Sequence, residues 1–204
     1  ASNAVDLTIQ AGETLALLGE TGSGKTVLGM AILRLLQPNT RIEGEILYRG
    51  RDLLSLPQEE MQKIRGREIA VVLQNSGTSL NPVLRVGDQI AEAITLHRGL
   101  KGAEAEAAAV ELLERVRIAD PARMAREYPH RFSGGMRERA LIALALACSP
   151  SFLIADEPTR GLDAVTKHEI LALFSEINRG RSVLFITHDI EAAATLATRV
   201  AVMY

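Results

Sequence analysis

Residues 19–26 read Gly19-Glu20-Thr21-Gly22-Ser23-Gly24-Lys25-Thr26, the spacing G-x-x-x-x-G-K-[ST] of a phosphate-binding loop. The apolar run Leu15-Ala16-Leu17-Leu18 before it is short enough for a buried strand. After it, Val27, Leu28, Ala31, Ile32, Leu35 and Leu36 recur at the spacing of a helix with one buried face. The loop therefore stands between a strand and a helix N-terminus, where its chemistry needs it. Gly22 and Gly24 let the backbone curl so that its N–H groups aim at phosphate oxygens, and the helix end adds partial positive charge. Lys25 brings a full charge to the β- and γ-phosphates, and the Thr26 hydroxyl can ligate Mg²⁺. A Gly-rich turn with a chance lysine carries the same letters but seldom these flanks.

Upstream, Val5-Asp6-Leu7-Thr8-Ile9 alternates apolar and polar as a half-buried strand does. The short turn Ala11-Gly12-Glu13 then predicts an antiparallel hairpin with the strand that enters the loop. Downstream, Glu45–Tyr48 reads as a strand closed by Arg49-Gly50, Pro57–Ile64 as a short helix, and Ile69–Leu73 as a buried strand ending at Gln74. Residues 75–82 form a polar loop, and from Val86 to Cys148 only helical patterns occur. Alternation then returns: strand Phe152–Ala155, helix Ala164–Asn178, strand Ser182–Thr187, helix Ile190–Ala197, strand Arg199–Met203. Strands alternating with helices imply a mostly parallel sheet. The predicted architecture is thus an α/β core of residues 1–75 and 150–204, with an antiparallel β portion near the N-terminus and an inserted all-helical subdomain of residues 76–149.

Phe152-Leu153-Ile154-Ala155-Asp156-Glu157 is an apolar strand ending in two carboxylates. A parallel strand beside the phosphate loop delivers its C-terminal end to the same crevice. Asp156 is then placed for the Mg²⁺ shell, and Glu157, one residue on, to polarise an attacking water. Gln74 and His188 repeat this logic at the ends of two other apolar runs. Gln74 can touch Mg²⁺ or the water, and His188 can donate to the γ-phosphate. Ser133-Gly134-Gly135 opens the last helix of the helical block. It offers a hydroxyl, two backbone amides and a helix N-terminus, a second anion cradle. One nucleotide does not need two cradles, so the economical reading gives this one to a nucleotide held by a second copy of the chain. An ordinary Ser-capped helix is the plainer alternative.

Composition narrows the rest. The chain has 204 residues, 47% apolar and 24% charged, an ordinary globular make-up. A net charge of −2 gives no global pull toward nucleic acid or anionic membrane. With 3% aromatics and no Trp, a base-stacking platform is not expected. The single cysteine, Cys148, excludes an internal disulfide and suits a reducing compartment. The longest apolar run, Ala140–Cys148, falls far short of the about 20 residues that a membrane span requires, so any membrane role is expected to come through partners.

Taken together and in order, these pieces resemble the ATP-binding cassette (ABC) ATPases, whose fold is a P-loop NTPase (RecA-like) core. Gly19–Thr26 is similar to Walker A, Gln74 to the Q-loop, Ser133-Gly134-Gly135 to the signature, Phe152–Glu157 to Walker B, Gly161-Leu162-Asp163 to the D-loop and His188 to the switch histidine. Three stretches bring the likeness closest to the ATPase subunits of dipeptide, oligopeptide and nickel importers: Thr78-Ser79-Leu80-Asn81-Pro82, Ser133-Gly134-Gly135-Met136-Arg137 and Ile154-Ala155-Asp156-Glu157-Pro158-Thr159. The resemblance implies ATP and Mg²⁺ as cofactors and ATP hydrolysis with Glu157, His188 and Gln74 in catalytic roles. It implies a second ATP-binding subunit packed head to tail, integral-membrane permeases, and an extracytoplasmic solute-binding protein acting indirectly. The location would be peripheral, on the cytoplasmic face of the membrane. Departures are Phe132 for Leu, Met136 and Glu138 for Gln, and no aromatic before Gly19 to stack on adenine. The chain reads as trimmed at both ends.

Two other readings compete. A soluble ABC-type ATPase of DNA repair, chromosome structure or translation would carry a long coiled coil between Gln74 and Ser133, or a second cassette with a basic linker. A GTPase would carry [NT]-K-x-D after a strand. The nearest match, Thr166-Lys167-His168-Glu169, ends in Glu and lies within a helical pattern.

Overall fold

The computed structural model describes residues 5–74 and 79–204. In chain order its first elements are β1 (Thr14–Gly19), α1 (Lys25–Ile32), β2 (Leu47–Tyr48), β3 (Arg51–Asp52), α2 (Gln58–Ile64) and β4 (Ile69–Val72). The described elements that follow β4 are helical until β5: α3 (Val86–Arg98), α4 (Ala103–Arg115), α5 (Pro121–Met124), a 3₁₀ turn (Pro129–Arg131) and α6 (Gly134–Leu146). The chain closes with β5 (Phe152–Asp156), α7 (Ala164–Ile177), β6 (Ser182–Ile186), α8 (Ile190–Leu196) and β7 (Arg199–Met203).

Five strands form one parallel sheet in the order β4-β5-β6-β1-β7, and β2 and β3 form a separate antiparallel ribbon. This is the predicted α/β class. The ribbon turns through Arg49 (φ 51°) and Gly50 (φ 76°), the pair of positive φ angles that a two-residue hairpin turn of matching twist needs.

The strand expected over Val5–Ile9 does not form. Both edges of β1 are already taken, by β6 and by β7, each in parallel. No edge remains for an antiparallel partner. Leu7 and Ile9 nonetheless pack against the core, so the apolar alternation is used without a ladder.

Side chains alternate between two cores on the two faces of the sheet, as the pleat requires. Ala70, Val72, Leu153, Ala155, Val183 and Phe185 face one core, which continues into the helical segment through Val86, Ile90, Leu113 and Ile142. Leu15, Leu17, Ile69, Ile154, Leu184 and Ile186 face the other, closed by Leu33, Leu53, Met61 and Ile64. A parallel sheet covered on both faces explains why these strands read as continuous apolar runs.

Helix α1 is shorter than its apolar pattern suggests, and its buried face differs. Val27 and Leu35 are exposed while Gly29, Ala31 and Leu33 are buried. The helix stops because Arg34 takes a left-handed conformation, φ 52°. Its guanidinium then donates to the carbonyls of Leu53 and Leu56, at 3.3 and 2.5 Å. Arg65 in turn donates to the Leu33 and Arg34 carbonyls, at 2.8 and 3.4 Å. Arg65 thus satisfies carbonyls at the helix end, while Arg34 ties that end to the segment after β3.

Candidate functional site

Because the strands of the main sheet are parallel, their C-terminal ends share one edge. Loop 19–26 follows β1, Gln74 lies just past β4, Asp156 ends β5 with Glu157 next, and His188 lies just past β6. One expectation needs correcting: β5 is not beside β1, because β6 lies between them. Helix α1 spans the gap. A Cβ at Gly29 would lie 3.1 Å from Ile186 Cδ1 and 3.3 Å from Ile154 Cγ2, so the absence of a side chain lets the helix rest on β6 and β5. Thr26, in its first turn, thereby comes alongside Asp156 and favours its charged form.

The loop is built around Lys25, which is buried. Its Nζ donates to the carbonyls of Gly19 and Glu20, at 2.8 and 2.7 Å, and to Ser23 Oγ at 3.3 Å. Gly22 and Gly24 are left-handed, φ 94° and 98°, a conformation that only glycine adopts at little cost. At Gly19 the constraint is steric: a Cβ would run into the Met203 carbonyl of β7 and lie 2.8 Å from Ser23 Oγ.

Asp156 is 1% exposed, and its Oδ1 has no hydrogen-bond partner. Burial pushes its carboxyl up from the ordinary range, Thr26 and Lys25 pull it down, and neighbouring Glu157 adds to the upward push. A buried carboxylate oxygen without a partner is costly unless something positive completes it. With the Thr26 hydroxyl alongside, the donor set is hard oxygen, which suits Mg²⁺. Among the described residues no cluster of three His, Cys, Asp or Glu side chains could cage a metal unaided.

Glu157 is the one non-glycine residue of the site held left-handed, φ 49°. Such a conformation persists only where surrounding bonds over-determine it, and here the Glu157 N–H donates to the Ile186 carbonyl at 2.9 Å. The turn aims the carboxylate inward. Oε1 lies 2.8 Å from His188 Nδ1, and buried Oε2 has no hydrogen bond, with Arg160 Nη1 4.0 Å away. Thr21, Gly22, Gly24, Lys25, Thr26, Val27, Gln74, Glu157 and Arg160 line one cavity of about 170 Å³. Arg160 went unread in the sequence. The only signal for it was its place one turn beyond Glu157.

Ser133, Gly134 and Gly135 do not line this cavity. Ser133 caps α6, its Oγ accepting from the Met136 N–H at 3.3 Å, while the preceding Phe132 is buried in the core. Gly134 and Gly135 pack instead on the segment after β5: Cβ atoms there would lie 3.8 Å from Leu162 Cδ2 and 2.5 Å from Thr166 Cγ2. The exposed Ser133 end is open to the outside of the chain.

The sequence profile of the ABC transporter family matches residues 2–160. The chain belongs to the ABC transporter family. It is similar to a Brucella abortus (strain 2308) protein named for peptide import and ATP binding, 48% identical over the whole of this chain and 63% of the relative. It is similar to the oligopeptide transport ATP-binding proteins OppD of Salmonella typhimurium (42%, 100% of this chain, 62% of the relative) and Bacillus subtilis (47%, 98% and 57%). This ABC chain therefore spans less than two thirds of the length of these relatives. Its fold matches the ATP-binding cassette MJ0796, solved as a dimer in a post-hydrolysis state bound to ADP and Pi. The TM-score is 0.87 at 31% identity, covering 99% of this chain and 85% of that one. A second dimeric structure of MJ0796, described as a bacterial ABC transporter cassette, matches equally.

Proposed function

We propose that this chain is the ATP-hydrolysing part of an ABC importer that takes up peptides. The observation that carries the reading is the cavity joining the Lys25 loop to Gln74 and Glu157, with the unpartnered Asp156 oxygen next to Glu157 in the chain. The backbone of residues 19–24 and Lys25 would hold the β- and γ-phosphates. Thr26 and Asp156, with Gln74 near, would hold Mg²⁺, which when bound supplies positive charge to the phosphate oxygens. Glu157 orients a water and accepts its proton, while His188 holds Oε1 so that the carboxylate keeps one direction. Among the described residues no helix is long and apolar enough to cross a membrane; in this reading permease partners form the path, and the chain sits peripherally at the cytoplasmic face.

The names of the relatives favour peptide over nickel and lend no support to a role in DNA repair or translation. The dimeric MJ0796 structures support a second subunit, and in this reading its Ser133–Gly135 segment would complete the site. A mostly apolar cavity of about 270 Å³, with Gly66, Leu73, Ser79, His97, Leu144 and Cys148 in its lining, is the place for a permease helix. Residues 75–78 of the loop expected to line it lie outside the described residues. The test is phosphate release from ATP with and without Mg²⁺. Mg²⁺-dependent release that vanishes on Lys25→Ala is expected. A protein that binds ATP but never hydrolyses it, even with permeases supplied, would overturn the reading.

A further inference from the structure

The stretch Thr166-Lys167-His168-Glu169, no match for a guanine-reading motif, contacts the site's surroundings at three points. Thr166 and Glu169, three apart and so on one face of α7, meet α6. The Thr166 methyl sits under Gly135, and Glu169 Oε2 accepts from Arg139 Nη2 at 2.9 Å. Arg139 also donates to the Val116 carbonyl at 3.0 Å. Lys167 projects elsewhere, and its ammonium pairs with Asp189 Oδ2 and, at 3.3 Å, with Glu191.

Asp189 directly follows His188. Its N–H donates to Thr187 Oγ1 at 3.0 Å, and its Oδ1 accepts from the Ala192 N–H at 3.1 Å, capping α8. The remaining oxygen belongs to Lys167. His188 itself is weakly held, with its side chain 56% exposed and bonded to Glu157. The Lys167 and Asp189 side chains are 21% and 27% exposed, far less than an ordinary surface pair, and such shielding strengthens a charge-assisted bond.

We propose that Lys167 is a positioning residue for the hydrolytic step, fixing the 187–189 loop so that His188 stays on Glu157. It acts from the same turn of α7 whose Thr166 meets Gly135 and whose Glu169 holds Arg139 of α6. One rigid helix thereby sets the distance between the chain's own hydrolytic pair and the cradle it offers to its partner. The proposal rests on the hydrolytic reading above. Asp189 is also held below the usual carboxylate range, chiefly by Lys167, and Lys167 is raised chiefly by Asp189.

The experiment is steady-state hydrolysis by the full-length protein with saturating Mg²⁺ and ATP, paired with ATP titration and thermal melting. Lys167→Met is expected to lower kcat about tenfold, since small misplacements of a reacting group cost that much or more. ATP affinity and Tm should stay near wild type. Lys167→Arg should restore most of the rate. Asp189→Asn, which keeps the α8 cap, should match Lys167→Met, and the double variant should be no slower than either, because both act through one contact. Wild-type kcat in Lys167→Met would overturn the proposal. So would a rate loss that tracks falling Tm and affinity and is not rescued by arginine, since that marks a plainly structural residue. If the wild type itself fails to hydrolyse ATP, the hydrolytic reading falls instead, a result distinct from either.

Discussion

His188 Nδ1 lies 2.8 Å from Glu157 Oε1, although the two residues come from different strand ends. The contact leaves buried Glu157 Oε2 without a hydrogen bond, in a residue that lines the cavity. A carboxylate gripped at one oxygen and unpaired at the other is suited to orient a water. Glu157→Gln keeps the shape and removes the proton acceptor. We expect kcat to fall roughly 10²- to 10⁴-fold, the usual worth of a positioned general base, with ATP and Mg²⁺ still bound. The variant should run as a dimer in ATP and a monomer in ADP, measured by size-exclusion chromatography with light scattering. Wild-type hydrolysis would remove Glu157 from the mechanism. A hydrolysis-dead variant that stays monomeric would remove the shared-site reading of Ser133–Gly135.

Lys25→Ala deletes three hydrogen bonds that tie the loop to itself as well as the charge meant for phosphate. Titration with ATP and Mg²⁺ should show binding lost. The ATP-free protein should also show faster amide exchange over residues 19–24. Unchanged affinity would sink the phosphate-loop assignment.

Gly135→Ala places a methyl 2.5 Å from Thr166 Cγ2. Thr166 cannot swing away freely, because its Oγ1 donates to Asp163 Oδ2 at 2.6 Å. Overpacking of this kind costs about 1–3 kcal/mol, and the helix end should shift. ATP-driven dimerisation is expected to weaken before nucleotide binding does. Adding Thr166→Ser, which removes the methyl and keeps the hydroxyl, should recover part of both stability and dimerisation. No recovery would mean that Gly135 is needed for something other than its fit on α7.

Cys148 lies in the groove proposed for the permease, with its Sγ 3.7 Å from the Ala93 carbonyl. Burial pushes its thiol up from the ordinary value of 9.0, against a smaller pull from Arg98 and Arg67. A raised thiol pKa means less thiolate at a given pH. Reaction with a disulfide reagent at pH 8 should therefore lag behind free cysteine, and the gap should narrow as pH rises. Docked permease should slow the reaction further. Equal rates with and without permease would move the docking site elsewhere.

Much of this molecule is legible along the chain because its signals are local. The pleat turns every second residue of Leu153–Ala155 and Val183–Ile186 to the opposite core, and two covered faces make such runs apolar throughout. Polar residues at the ends of those runs, Gln74, Asp156 and His188, could be assigned to one edge from parallel topology alone. The spacing of residues 19–26 likewise set the loop between strand and helix. Strand order is not local: it depends on where each crossover helix packs. Only the tertiary structure put β6 between β1 and β5 and carried Thr26 across to Asp156 on a helix seated by Gly29. Only it filled both edges of β1, which denied Val5–Ile9 a ladder. It also brought Arg160 into the cavity and bound Thr166, Lys167 and Glu169 to three separate partners. Those contacts join residues distant in the chain through packing, and packing leaves no periodic trace in a sequence.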